Sequence, residues 1–168
     1  FQTIGNLRRE SPINGDAIAA AYGGDLQTLV QEIDETNSLE LNSDIQTAIN
    51  DIKNNNETAL AAQVIDKTLQ RAFYQIIWNR ISAIRDEFEA APSDSLKLML
   101  DEAQASFQAI AATVAREDQV LTADKQAIET GRNPGLDQQI NESFARVRIA
   151  LDKSNAAEDF SVVQVERY

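Results

Sequence analysis

ETALAAQVIDKTLQRAFYQIIWNRISAIRDEFEA, residues 57–90, is the stretch on which the fold turns. Asn56 offers an N-cap, and Pro92 offers a stop because the residue before a proline is pushed out of the α region. Between them Leu60, Val64, Ile65, Leu69, Phe73, Ile76, Ile77, Ile81, Ile84 and Phe88 recur at helical spacing as one stripe. A helix of about 34 residues would extend roughly 50 Å. An apolar stripe of that length must be covered by other helices running along it.

The flanking sequence supplies such helices. Upstream, Pro12 and Asn14-Gly15 mark an irregular lead-in over residues 1–15. Asp16 is expected to cap a short helix, Ala17 to Tyr22, which Gly23-Gly24 stops. Asp25 is expected to cap the next, with Leu26, Leu29, Val30 and Ile33 on one face and Thr36-Asn37-Ser38 at its end. A further helix starts near Ser43, carries Ile45, Ala48, Ile49 and Ile52, and breaks at Asn54-Asn55-Asn56. Asp25 to Ile33 aligns with Asp44 to Ile52 at an offset of 19. Two short amphipathic helices converging on one pattern explain this more simply than a duplication.

Downstream, a helix from Asp94 or Ser95 to about Asp118 carries Leu96, Met99, Leu100, Ala103, Phe107, Ile110, Ala111 and Val114. Thr122 would cap a short helix ending at Gly131. Asn133-Pro134 opens the last long one, with Leu136, Ile140, Phe144, Val147 and Leu151, to about residue 154. The tail at 155–168 is β-prone, and equally suits an arm or a final helical turn.

A single all-α domain is therefore expected, spanning 1–168. Its architecture would be a four- or five-helix up-down bundle. Short acidic helices fill 16–54 and long bundle helices 56–154, with the lead-in before them and the short C-terminal tail after. Helix content should exceed about 60%, roughly twice the globular average. A length of 168 residues suits one domain, and scarcity of Gly (6) and Pro (3) disfavours a sandwich or barrel.

The chain contains no His and no Cys. Ser-His-Asp and Cys-His catalysis, ordinary zinc sites, haem ligation through His or Cys and disulfide chemistry are all closed to it. Carboxylates remain, in pairs such as Asp101-Glu102 and Glu117-Asp118. Oxygen-only ligation suits hard cations, so Ca²⁺ or Mg²⁺ would bind weakly at best, and no other cofactor is expected. Most of these acids fall opposite the apolar stripes and read as a solvated face. A carboxylate-only glycosidase needs just two acids, which any acidic sequence offers, so the pairs give it little support; the chain is read as no enzyme, with a carboxylate-only enzyme as the third reading.

Net charge is −12 and is unevenly spread. Residues 10–66 hold eleven acids and one base, whereas residues 67–168 hold sixteen acids and twelve bases. Such a surface repels nucleic acid and anionic lipid and attracts cations and basic proteins. Asp25, Asp34, Glu35, Asp44 and Asp51 are the candidate contributors. Arg71, Arg80, Arg85, Arg146 and Arg148 are the bases that would offset this charge from within the bundle. No stretch reaches the ~20 apolar residues of a membrane span.

The second candidate surface is Gln70 to Arg80, with the sole Trp. Tyr74 and Trp78 share a face one turn apart, with Gln70 and Arg71 a turn above, and Arg80, which ends the segment, is a further contact candidate. These groups either grip a ligand or partner protein, or fill the core with Arg stems laid over them. Residues 62–89 have the look of periplasmic helical domains of bacterial uptake systems, but they carry no diagnostic motif and no family is recognised. Absence of Cys, few Lys and a first residue Phe1 in place of Met lead to the expectation of an exported protein, periplasmic or secreted, with its leader removed. The leading functional expectation is a non-enzymatic accessory or interaction protein whose partner has a basic surface. The alternative is a periplasmic ligand- or hard-cation-binding bundle linked to uptake.

Overall fold

The computed structural model describes residues 2–121 and 135–151. It is all-α: 83% helix, with no strand among the described residues. Seven helices are described: α1 (Gln2–Leu7), α2 (Gly15–Tyr22), α3 (Asp25–Asn37), α4 (Leu41–Lys53), α5 (Thr58–Glu87), α6 (Ser93–Leu121) and α7 (Leu136–Leu151). The expected short helix between Thr122 and Gly131, the Asn133-Pro134 start and the 155–168 tail lie outside the described residues. The chain divides into two compact units, with the boundary between Gln75 and Ile76 inside α5.

In the N-terminal unit α1 contacts α2, α2 contacts α3 and α4, and α3 contacts α4. The lead-in is not irregular throughout, since Gln2–Leu7 is helical and buries Ile4. A helix this short has too few apolar positions to show a period, and tertiary contact sustains it. The α4 stripe is buried as its spacing predicts: Ile45, Ala48, Ile49 and Ile52 are all in the core. The aligned residues Val30 and Ile33 of α3 are buried too.

The caps differ from the reading of Asp16, Asp25 and Ser43 as starts. Asn14 caps α2: its Oδ1 accepts from the N–H groups of Asp16 and Ala17, both at 3.0 Å. Asp16 instead pairs with Lys53 of α4 at 2.9 Å. Asp25 is the first residue of α3, and Gly24 occupies the cap with φ 81°, a conformation that side chains resist. The start of α4 is held across the turn by Asp34 of α3, whose carboxylate oxygens accept from Leu41 N and Asn42 N, each at 2.8 Å. This cap satisfies two orphan N–H groups and moves the helix start two residues ahead of Ser43.

Gly15 lets α2 approach α4. A Cβ there would lie 2.8 Å from Lys53 Cγ and 3.0 Å from the Lys53 backbone nitrogen. Inside a helix Gly→Ala ordinarily gains up to ~1 kcal/mol. Here the overpacking cost of about 1–3 kcal/mol outweighs that gain. Gly15→Ala should therefore lower the urea midpoint, and an unchanged or raised midpoint would show that the two helices part freely.

Arg8 ties the chain after α1 to α5. Its guanidinium pairs with Asp66 at 2.8 Å and donates to the Ala62 carbonyl at 2.9 Å. Asp66 also accepts from Gln70 Nε2 at 3.0 Å. Within this unit α5 buries Ala61, Ala62, Ile65, Leu69, Ala72 and Phe73.

In the C-terminal unit α6 packs on α7. Leu96, Leu100, Ala103, Phe107 and Ile110 of α6 are buried, as are Phe144, Val147 and Leu151 of α7. The rings of Phe107 and Phe144 meet with centroids 5.9 Å apart at a tilt of 44°. Around this core Gln108 donates to Asn141 at 2.7 Å, and Arg148 pairs with Asp101. The only described buried polar side chains, Ser106 and Ser143, return their hydroxyls to helix carbonyls at 2.9 Å.

Candidate interaction surfaces

The stripe of α5 splits where the sequence made it continuous. Taking Leu69 as the centre of the buried face, each residue advances about 100°. Ile65, Phe73 and Ile76 fall within about 40° of it and are buried. Leu60 and Trp78, nine residues to either side of Leu69, fall opposite. Leu60 is 54% exposed, and Val64 is exposed as well. Ile77, part of the expected stripe, is only partly buried.

This phase bears on the core-filling reading of the aromatics. Tyr74 is 54% exposed and Trp78 58% exposed, so neither fills a core. Arg71 is exposed on the same side of the helix, one turn before Tyr74. Arg80 falls near the buried phase and pairs with Glu102 of α6. Arg71, Tyr74 and Trp78 thus share a helix face, and Arg80 is engaged elsewhere.

The five acids sort by environment. Asp25, Glu35 and Asp44 are exposed, and none forms an ion pair among the described residues. Asp34 is half-buried and spent on the α4 cap. Asp51 is half-buried and accepts from Asn56 Nδ2 at 3.1 Å. Arg80, Arg85 and Arg148 pair with Glu102, Asp86 and Asp101, all acids of the C-terminal unit.

Asp44 and Asp51 belong to a groove of about 190 Å³ lined also by Thr47, Ala48, Glu57, Leu60, Ala61 and Val64. Its rim is three carboxylates and its walls are aliphatic. Glu57, Leu60 and Val64 are the residues sequence reading missed. Their signal was present, since Leu60 and Val64 are out of phase with Leu69. Glu57 stands just before α5 with φ 42°, in the left-handed region.

No family model matches this chain, and no curated protein or solved structure matches it. Function therefore rests on these surfaces alone. No three Asp or Glu among the described residues are placed to hold a metal ion. No described helix is long and apolar enough to cross a membrane.

Proposed function

We propose that the chain is a non-enzymatic, exported helical interaction protein, working outside the cytoplasm as an accessory to a partner with a basic surface. The observation that carries this reading is the exposure of Tyr74 and Trp78 one turn apart on α5. Exposing two large aromatics wastes apolar surface unless something covers them, and Tyr and Trp are the residues most enriched where partner binding concentrates its energy. The unpaired acids of α3 and α4 add long-range attraction for a basic surface. A chain free of Cys and poor in Lys suits an exported protein.

The test begins with native mass spectrometry of the protein from its natural source, to identify what co-purifies. Tyr74→Ala with Trp78→Ala should then leave stability within about 0.5 kcal/mol, as for exposed positions. Capture of the identified partner should weaken about thirtyfold or more, the loss of one interface anchor. Trp78 emission in the free protein should be red-shifted and open to quenchers, and should shift blue when the partner binds. Full capture by the double variant would refute the reading.

A further inference from the structure

We infer that the groove between α4 and the first turns of α5 docks a basic, aliphatic polypeptide segment, in which a Lys or Arg flanks a Leu-like side chain. The inference rests on the reading of the chain as an interaction protein, but at residues separate from Tyr74 and Trp78. Leu60 and Val64 present apolar surface to solvent from the groove wall. Asp44, Asp51 and Glu57 stand around them. The bases near the groove in sequence or space are committed: Lys53 to Asp16, Arg8 to Asp66 and the Ala62 carbonyl, and Lys67 to Gln70 Oε1 at 3.4 Å. Hence the rim carboxylates have no cation among the described residues, and the apolar wall has no cover.

Charge selects the occupant. A second copy of this chain would bring eleven acids against one base over residues 10–66 onto the same acidic rim, which repels it. Anionic lipid and nucleic acid are repelled likewise. A bare divalent cation would leave Leu60 and Val64 uncovered, and the three carboxylates are not placed to share one ion. A polypeptide segment with an aliphatic side chain between cationic ones meets both demands. Its apolar part covers Leu60 and Val64, and its charges meet Asp44 and Glu57 at the rim.

The probe is a fluorescein-labelled synthetic peptide alternating Lys and Leu, titrated into the full chain and followed by anisotropy. Matched peptides with Glu for Lys, or Ser for Leu, are the controls. Leu60→Ser lies on an exposed position and should leave the fold intact while weakening binding about tenfold. Asp44→Asn with Glu57→Gln should weaken it about fivefold at low salt and little at ~1 M salt, where the screening length falls to about 3 Å. Asp51 is left in place because it holds the turn through Asn56. Amide shifts on adding unlabelled peptide should centre on Thr47 and Ala61, which keeps the site testable if a variant fails to fold. Equal binding of the Glu peptide, unchanged affinity of Leu60→Ser, no binding at millimolar peptide, or shifts centred elsewhere would each overturn the inference. So would Ca²⁺ producing the same shifts at Thr47 and Ala61 while the Lys-Leu peptide produces none. Loss of the groove signal with Trp78→Ala behaving as proposed would reject this site alone, and the reverse pattern would reject the aromatic face alone.

Discussion

Phe107→Ala is expected to cost about 3–5 kcal/mol, the range for deleting a fully buried aromatic ring. Phe107 is 2% exposed and rests against Phe144 on the facing helix. Its neighbours along α6 alternate at four and three residues through Leu100, Ala103 and Ile110, so the ring is enclosed above and below by buried side chains. Neither Ser106 nor Ser143 can swing in without abandoning its carbonyl. The cavity would persist, and the aromatic contact, about 0.5–1.5 kcal/mol beyond area burial, would be lost as well. Phe107→Leu keeps most of the volume and should cost under about 2 kcal/mol. Denaturant melts followed by helix signal would measure both. A loss below about 1 kcal/mol for the alanine variant would show that α6 and α7 do not enclose this ring.

The helical class was legible because burial of one face imposes a period that survives in sequence. Ile45, Ala48, Ile49 and Ile52 display it, and so do Leu96, Leu100, Ala103 and Phe107, and all eight are buried. What a list of apolar residues at roughly helical spacing does not reveal is which of them share one face. The buried residues of α5 all fall within about 80° of Leu69, and a single stripe drawn through every apolar residue absorbed Leu60 and Val64 into a core they do not join. Measuring each residue's angle from Leu69 would have placed Trp78 opposite the core from sequence alone. Small residues carried the missing half of the pattern: Ala61, Ala62 and Ala72 are buried where a search for large apolar groups passes over them.

Caps failed for another reason. Asp16 and Asp25 have the right chemistry, but Asn14 and Gly24 hold the cap positions. The cap of α4 comes from Asp34, seven residues before the N–H it satisfies, and no local signature predicts such a crossing. The candidate surfaces were legible in part. Tyr74, Trp78 and Arg71 were identified by residue type, whereas the groove at Asp44, Asp51, Glu57, Leu60 and Val64 exists only once two helices are placed.

Alkaline pH should unfold the N-terminal unit through Tyr22. The Tyr22 side chain has no exposed surface, and its hydroxyl donates to Asn42 Oδ1 at 3.0 Å. Burial, and then the Asp34 carboxylate nearby, push the hydroxyl well above the ordinary tyrosine value. A buried phenolate beside a carboxylate would be charged, desolvated and repelled at once. Below about pH 10 Tyr22 is protonated in folded and unfolded chains alike, and it adds no pH dependence. Above about pH 10 the unfolded chain releases a proton that the folded chain keeps, so the unfolded state binds fewer protons and stability falls as pH rises. The slope is about 1.4 kcal/mol per pH unit while the folded hydroxyl stays protonated. Tyr22→Phe should lose about 1 kcal/mol at neutral pH, the worth of one hydrogen bond. In exchange it should lack this alkaline term, and its stability should overtake that of the parent chain above about pH 11. Tyr74 is exposed and common to both proteins, so it cancels in the comparison. Urea melts of the two proteins between about pH 8 and 12 make the measurement. Parallel losses above about pH 10 would show that Tyr22 ionises freely in the folded chain, and that α2, α3 and α4 do not enclose it.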